Sequence, residues 1–448
     1  MKNTFHAIQF AALLSFTFLL AACGSGGSSS SSGGGFSSGG GGSTGTQTSN
    51  NSTQLVVDSG PVELNNLNLA DEDVPFISVT VCVPGTTNCN TIDHVEVDTG
   101  SEGLRIVSPD VNPVLTISLP QQTANGNTIA ECVQFGDLTY GWGPVASADI
   151  QIAGETAKNV PVHLLAQTFQ TVPASCSSGQ TGGQLFDIPS LGAKALLGVG
   201  VFRQDCGFGC ANGAPPGAYY TCDGTNCTPT SESLTAQVQN PVWMFPTDNN
   251  GVMITLQSVP DTGQTSVSGT LTFGIGTQSN NGLGSAAVLP VDPGTGNFAA
   301  QFMGTLYNDF NGSGSGHGSS FIDSGSNGLF FLDSATLSNQ FGLNIPDCPQ
   351  SGPNALMGFY CPGTTQQISV NVLGETSNGT PVGSARTITF NIANASTLFQ
   401  NNFFAFNDVG GENSNSFDFG LPFFFGKTVF TAIEGQATPS GNGPYVAF

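Results

Sequence analysis

The sequence has few basic residues: only 7 of its 448 residues are Lys or Arg, whereas 30 are Asp or Glu, which gives a formal net charge of −23 at pH 7. A surface with this charge repels phosphate backbones, so no nucleic-acid partner is expected. Charged residues of both signs amount to only 8%, which excludes a charge-rich disordered chain, and 38% hydrophobic residues are enough for a core.

Helical periodicity is also scarce. From residue 54 onward, short apolar runs alternate with turn residues, in keeping with 61 Gly and 26 Pro. Residues 76–83 and 91–97 are predicted to be paired strands, and residues 332–341 a helix that begins at Asp333 and Ser334. The predicted fold class is all-β with a few short helices.

The first residues are typical of an export signal. An apolar run over residues 7–22 has the length of a signal segment and is too short for a comfortable membrane span. It ends in Leu-Ala-Ala-Cys at 20–23, which resembles the bacterial lipobox. The resemblance implies that residues 1–22 are removed and that Cys23 is lipidated and supplies the only membrane contact. The alternative is an ordinary signal peptide with an incidental Cys.

The segment that follows the signal, residues 23–53, is rich in Gly and Ser and is predicted to be a flexible tether. Gly24 stands where an Asp would indicate retention in the inner membrane. The expected location is therefore the bacterial cell envelope, with an anchor in the outer membrane and the chain on its periplasmic or surface face.

Ten cysteines remain after Cys23, and an even number in an oxidising compartment favours disulfides. Close spacing predicts four local bridges and leaves one further pair. The predicted bridges are Cys82–Cys89, Cys206–Cys210, Cys222–Cys227, Cys348–Cys361 and Cys132–Cys176. The alternative is a zinc site formed by the four cysteines at 206, 210, 222 and 227.

The strongest motif is an internal repeat. Val-Asp-Thr-Gly-Ser-Glu-Gly-Leu at 97–104 is matched 225 residues later by Ile-Asp-Ser-Gly-Ser-Asn-Gly-Leu at 322–329. Each copy has an apolar-Gly pair downstream, at 197–198 and at 419–420. Paired motifs at matched spacing indicate a duplicated half-structure. A third Asp-Ser-Gly, at 58–60, is not followed by Gly-Leu and is interpreted as a simple turn.

The repeat resembles the pepsin-like aspartic proteases, which have an apolar residue followed by Asp-Thr-Gly-Ser once per lobe. The resemblance implies a bilobal double β-barrel with a cleft between an N-terminal lobe, residues 54–285, and a C-terminal lobe, residues 286–448. It implies that Asp98 and Asp323 are the catalytic carboxylates, without cofactor or metal. The sequence also resembles a family of proteobacterial lipoproteins of unassigned function.

The resemblance assigns supporting roles as well. The residues expected to support the catalytic loops are Thr99, Gly100, Ser101, Ser324, Gly325 and Ser326. The residues expected to lock these loops are Leu197, Gly198, Phe419 and Gly420. Leu-Thr-Tyr-Gly-Trp-Gly at 138–143 resembles the flap hairpin, so the residues expected to cover the substrate are Tyr140, Gly141 and Trp142.

Three features depart from the family pattern. Asp418 stands where the family has an apolar residue, Pro144 follows the flap early, and residues 203–230 form a Cys-rich insert without a family counterpart.

The expected function is an aspartic endopeptidase, a monomer anchored to the envelope, that hydrolyses extended polypeptide. The alternative is a catalytically inactive pepsin-like lipoprotein that binds peptide or protein. In a third hypothesis the chain is a β-structural surface lipoprotein and the repeat is only scaffold.

Overall fold

The computed structural model describes residues 51–67, 69–107, 114–212, 217–309, 318–352 and 355–448. These residues are mostly strands with a few short helices, which confirms the predicted all-β class. The predicted signal segment, Cys23 and the tether up to residue 50 lie outside the described residues. Within the described ranges, no helix has the length and apolar character needed to cross a membrane.

The described part of the chain contains 27 strands and six α-helices. The first strands are β1 (Ser52–Val57), β2 (Pro75–Cys82), β3 (Cys89–Asp98), β4 (Glu102–Val107), β5 (Thr123–Ala124), β6 (Asn127–Gln134), β7 (Thr139–Ile152), β8 (Glu155–Leu165), β9 (Gly183–Leu185) and β10 (Ala195–Val199). The next are β11 (Tyr219–Cys222), β12 (Cys227–Pro229), β13 (Gly251–Leu256), β14 (Val267–Phe273), β15 (Val288–Pro290), β16 (Ala299–Phe302), β17 (Thr305–Tyr307), β18 (Phe321–Ile322) and β19 (Leu329–Leu332). The last are β20 (Gln366–Glu375), β21 (Pro381–Ile392), β22 (Gly410–Gly411), β23 (Asn413–Phe419), β24 (Thr428–Ala432), β25 (Ala437–Thr438), β26 (Gly441–Asn442) and β27 (Tyr445–Ala447).

The α-helices are short. They are α1 (Val62–Leu67), α2 (Ala174–Ser177), α3 (Ile188–Leu191), α4 (Phe208–Ala211), α5 (Ser334–Phe341) and α6 (Ala395–Leu398), and two 3₁₀ turns lie at Pro241–Met244 and Leu421–Phe424. The predicted helix is α5, where the side chain of Asp333 accepts a hydrogen bond from the N–H of Thr336 at 2.8 Å and caps the first turn.

Six strands close into a barrel in the order β2, β3, β10, β4, β8 and β7, with β7 pairing back to β2. Buried and more exposed side chains alternate along the middle of β2 in this barrel. On β2, the side chains of Val79 and Val81 are fully buried, whereas Ser78 between the apolar positions is exposed. One face of each strand therefore fills the barrel.

Within the barrel, β10 lies between β3 and β4, parallel to the first and antiparallel to the second. Gly198 pairs with Asp98 on one side and with Gly103 on the other. A Cβ atom on Gly198 would lie 2.6 Å from backbone atoms of Glu102, so only glycine allows this close approach.

The second copy of the motif is built in the same way. β23 lies between β18, to which it is parallel, and β19, to which it is antiparallel. Phe419 pairs with Ile322 and with Leu329, as Leu197 pairs with Val97 and Leu104 in the first copy. The duplication in sequence is therefore a duplication of strand arrangement.

Strands from both parts of the chain join in one further layer, in the order β1, β14, β13, β24, β27 and β15. The remaining large sheet is β17, β16, β20 and β21. β1 begins at Ser52, two residues before the predicted start of the folded body. β1 also pairs with β2, so this layer is continuous with the barrel that contains Asp98.

All five predicted disulfides are confirmed. They are Cys82–Cys89, Cys132–Cys176, Cys206–Cys210, Cys222–Cys227 and Cys348–Cys361. The alternative zinc site is wrong, because its four cysteines are paired in two of these bridges. Among the described residues, no group of three or more His, Cys, Asp or Glu side chains could hold a metal ion.

Candidate active site

The two Asp residues of the repeat stand in the same local geometry. Asp98 ends β3, and its two carboxylate oxygens accept hydrogen bonds from the N–H of Gly100 at 2.6 Å and from the hydroxyl of Ser101. Asp323 follows β18 and accepts from the N–H of Gly325 at 2.8 Å and from the hydroxyl of Ser326 at 2.8 Å. Each carboxylate is thus oriented by its own turn.

The middle residues of the two turns exchange hydrogen bonds across the site. The N–H of Thr99 donates to the hydroxyl oxygen of Ser324 at 3.1 Å, and the N–H of Ser324 donates to the hydroxyl oxygen of Thr99 at 2.9 Å. The hydroxyls donate in turn to backbone carbonyls of the opposite strand, Thr99 to Ile322 at 3.2 Å and Ser324 to Val97 at 2.6 Å. These four bonds hold the two loops in a fixed relation.

Each glycine of the repeat lies against the carboxyl group of the other loop. A Cβ atom on Gly100 would lie 2.6 Å from Cγ of Asp323, and one on Gly325 would lie 2.8 Å from Cγ of Asp98. The missing side chains therefore leave the two carboxyl groups facing each other. Burial and the neighbouring Asp98 raise the pKa of Asp323 well above its usual value.

A third carboxyl group adjoins this pair. The hydroxyl of Ser326 lies 2.8 Å from Oδ2 of Asp323 and 2.7 Å from Oδ2 of Asp418. A hydroxyl donates one proton, so both contacts are hydrogen bonds only if one of the two carboxyl groups is protonated. Burial raises the pKa values of both Asp418 and Asp323 well above their usual range, so a proton shared among these carboxyl groups satisfies both contacts. Asp418 is the departure from the family pattern noted in the sequence, and β23 keeps both its strand pairings there.

The facing carboxyl groups open into a cavity of about 310 Å³. Its walls come from both copies of the repeat, from the turn between β6 and β7, and from the segment around α3. Six of the described lining residues have carboxyl groups. The described lining contains no Lys, Arg or His. The six are Asp71, Glu96, Asp98, Asp137, Asp323 and Asp418.

A long hairpin of β6 and β7 covers one side of the cavity. Its turn contributes Phe135, Gly136 and Asp137 to the lining, and Thr139 follows at the start of β7. Pro144 lies within β7, opposite Ala130, so the hairpin is not ended early at this proline. Strand β7 instead continues through Pro144 to Ile152.

Tyr140, Gly141 and Trp142, the residues expected to cover the substrate, are not among the described lining residues of the cavity. Tyr140 pairs with Gln134 and is half-buried, and the described lining of the cavity does not include it. Trp142 is fully buried, and its indole N–H donates to the carbonyl of Gln170 at 3.2 Å. Gly141 is also buried, since a Cβ atom there would lie 2.5 Å from a methyl group of Leu165. Gly141 thus packs against β8 of the barrel, Trp142 packs against Phe169 and Tyr220, and neither belongs to the described lining of the cavity.

The Cys-rich insert, residues 203–230, extends the sheet of this hairpin. Its strand β11 pairs with β6, with Tyr219 opposite Glu131. Beneath it, the fully buried Arg105 donates to Glu131 at 2.9 Å and lies 3.5 Å from Asp205, which accepts a bond from Tyr219 at 2.8 Å. This buried network ties the insert and the hairpin to β4, directly after the loop of Asp98.

Glu96, Asp71 and Asp137 are lining residues that the sequence analysis did not identify. The position of Glu96 could have been predicted from the sequence. Side chains two residues apart on a strand share a face, so Glu96 points to the same side of β3 as Asp98. Asp71 and Asp137 lie in loops, where no periodic pattern indicates direction.

Comparison with curated proteins found no match for the chain. A family model does match, over residues 47–448, and this range includes both Asp turns, the covering hairpin and the insert. The chain therefore belongs to the family described as "Protein of unknown function (DUF3443)".

Proposed function

We propose that this chain is an aspartic endopeptidase with a bilobal, pepsin-like architecture, in which Asp98 and Asp323 activate one water molecule between them. The observation that supports this proposal most directly is the pair of facing carboxyl groups held by the exchange between Thr99 and Ser324. A structural turn needs neither the exchange nor the close approach of each glycine to the opposite carboxyl group.

The mechanism follows from the charges. Two carboxyl groups this close do not both ionise easily, so the pair shares a proton. The ionised member accepts a proton from the water, which attacks the carbonyl carbon of the peptide bond. The protonated member donates to the carbonyl oxygen, which gives a tetrahedral diol without a covalent enzyme intermediate. Collapse of the diol, with proton transfer to the departing amine, breaks the C–N bond.

The architecture proposed here assigns one lobe to each copy of the repeat. The barrel of β2, β3, β10, β4, β8 and β7 belongs to the first lobe, and the sheet of β18, β23 and β19 belongs to the second. The hairpin of β6 and β7 takes the position of a flap, with Phe135 and Asp137 at its tip. A lipid anchor at Cys23 would keep the enzyme on the envelope, so its substrates are extended polypeptides in that compartment.

The test is cleavage of a denatured protein by the full chain between pH 3 and pH 7, with and without a statine-type inhibitor. We expect cleavage at acidic pH that the inhibitor blocks and that Asp98→Asn and Asp323→Asn each abolish. Asp58→Asn is the matched control, because Asp58 belongs to the Asp-Ser-Gly turn without a counterpart, where its carboxylate accepts from the N–H of Gly60 at 2.9 Å and lies 3.8 Å from His94.

Cleavage that survives Asp98→Asn would contradict the mechanism. Tight binding of the statine-type inhibitor without any cleavage would instead favour the inactive, peptide-binding alternative.

A further inference from the structure

The cavity beside the two Asp residues has an unbalanced charge. Its described lining contains six carboxyl groups and no basic side chain. Ionised carboxyl groups that are crowded together repel one another, and the three buried ones, Glu96, Asp98 and Asp418, also lose hydration. Of the six, Asp98 and Asp323 form the proposed catalytic pair, and Asp418 is joined to that pair through Ser326. Glu96, Asp71 and Asp137 have no role in that mechanism.

The internal repeat shows that the extra carboxyl group at Glu96 is not required by the fold. Glu96 precedes Asp98 by two residues, and the equivalent position before Asp323 is Phe321, which also lines the cavity. The same strand position therefore accepts an apolar ring in one copy and a carboxyl group in the other. The two sides of the cavity therefore offer different side chains to a bound molecule, a carboxyl group at Glu96 and a phenyl ring at Phe321.

Glu96 is a buried residue of the cavity lining. Its residue is only 8% exposed, and its carboxyl group makes no hydrogen bond or ion pair with any described residue. The charged groups that face it are Asp98 on its own strand, Asp71 before β2, and Asp137 in the hairpin turn, and all three are acidic. Burial and these neighbours raise the pKa of Glu96 well above its usual value, so its ionised form is stabilised only when a cation with hydrogen-bond donors enters.

The chemistry of the occupant follows from the arrangement. No group of three or more described His, Cys, Asp or Glu side chains is placed to hold a metal ion. An ammonium or guanidinium group needs no such coordination geometry, since its N–H donors reach separate acceptors. The position of Glu96 on the same strand face as Asp98 places this cation next to the bond that the proposed reaction cleaves.

We infer that the pocket formed by Glu96, Asp71 and Asp137 receives a lysine or arginine side chain of the bound polypeptide. The inference rests on the proposed function only in that the occupant of the cleft is a polypeptide. The chain then selects peptide bonds next to basic residues, and Glu96 is the specificity-determining residue.

The test measures binding and cleavage separately with the full chain. The binding probes are statine-type peptides that differ only in having lysine or norleucine at one residue flanking the statine, on either side. We expect wild-type chain to bind the lysine peptide at least about tenfold more tightly at one of the two positions, which corresponds to about 1.4 kcal/mol. Cleavage sites in a denatured protein, read by mass spectrometry, should be enriched in Lys and Arg at the same position.

The matched variants are Glu96→Gln and Glu155→Gln. Glu155 is also 8% exposed, but it accepts a hydrogen bond from Thr247 at 2.6 Å and is not part of the described lining. The ratio of lysine to norleucine affinity should fall toward one in Glu96→Gln and stay at the wild-type value in Glu155→Gln. The wild-type comparison needs no variant, so a folding defect in Glu96→Gln leaves the test intact.

The outcomes separate the two proposals. Equal affinity of wild-type chain for the lysine and norleucine peptides at both positions overturns the inference, even if cleavage proves the proposed function. Absence of cleavage, together with a lysine preference that Glu96→Gln removes, supports the inference and leaves the chain a binder of basic peptides.

Discussion

Thr99 and Ser324 are separated by 225 residues, yet each donates its backbone N–H to the hydroxyl of the other, at 3.1 Å and 2.9 Å. Ser324 is fully buried and Thr99 is 7% exposed, so neither N–H has water as an alternative partner. This exchange makes the two halves of the site dependent on each other.

Replacing Ser324 with alanine should damage both stability and activity. The change leaves the N–H of Thr99 and the carbonyl of Val97 without their buried partner, which costs about 1–3 kcal/mol in the free energy of unfolding. Activity should fall further, because the loops lose their relative position. Denaturant unfolding and kcat/KM measure the two effects.

The matched control is Ser59→Ala, in the Asp-Ser-Gly turn that has no counterpart across the site. The hydroxyl of Ser59 accepts an exposed hydrogen bond from Asn65 at 2.9 Å, so its loss should change neither quantity appreciably. Equal effects of the two substitutions would contradict the special role of Ser324.

Asp418 should set the upper pH limit of activity. Its carboxyl group is one of the causes that raise the pKa of Asp323, after burial and Asp98. Asp418→Asn removes this contribution, so the facing pair should lose its shared proton at a lower pH. The alkaline limb of the dependence of kcat/KM on pH should therefore move to lower pH.

Asp408→Asn is the control for this shift. Burial raises the pKa of Asp408 to about 7, but its carboxyl group is not part of the described lining of the cavity. Its replacement should leave the alkaline limb in place. A limb that is unchanged, or higher, in Asp418→Asn argues against coupling through Ser326.

Stability should decline as the pH rises from about 6.5 to 8.5. Burial raises the pKa of Glu102 from 4.5 to about 8 and that of Glu375 from 4.5 to about 7. At pH 6.5 the unfolded chain has already released both protons, whereas the folded chain releases that of Glu375 at about pH 7 and that of Glu102 at about pH 8, so a rise in pH through these values favours unfolding. Thermal unfolding at pH 6.5 and 8.5 measures the decline in Tm.

Glu102→Gln should make this decline smaller, because the variant has no proton to release at that position. The window also avoids His163, whose pKa is lowered by burial and by Arg105 and which opposes the trend only at lower pH. A Tm that rises with pH in wild-type chain would show that these carboxyl groups are ionised in the fold.

The disulfide that joins the covering hairpin to α2 should matter more for stability than the one between Cys222 and Cys227 in the insert. Cys132–Cys176 spans 44 residues, and loop-closure entropy gives about 4 kcal/mol for its loss. Cys222–Cys227 spans 5 residues, for which the same relation gives about 2 kcal/mol. Replacing each pair with alanine and measuring the free energy of unfolding tests the order, and a larger loss for Cys222–Cys227 would contradict it.

The sequence predicted the two Asp turns because their geometry is local. Asp, a hydroxyl residue, glycine and serine form the same hydrogen bonds in both copies, and the duplication itself indicated that the copies pair. The disulfides followed in the same way from spacing. These features depend on few residues close together in the chain.

The sequence predicted that Tyr140 of the covering hairpin lies over the substrate, whereas the tip of this hairpin contains Phe135, Gly136 and Asp137. The position of this turn depends on a single side chain. Asp137 accepts from the N–H of Thr139 at 2.9 Å, and Leu138 adopts a left-handed φ of 64°, so the turn lies ahead of Tyr140. The pairing of β6 with both β7 and β11 then fixes the register. This long-range pairing has no signal in the residues at 138–143.

The insertion of β10 between β3 and β4 has a consequence for how the chain is made. Asp98 emerges from the ribosome 100 residues before its sheet neighbour Gly198, and Thr99 emerges 225 residues before Ser324. Contacts this distant in sequence form late in folding. A chain that ends before Ser324 therefore has no opposed pair of acids, and any hydrolytic activity requires synthesis beyond the second Asp turn.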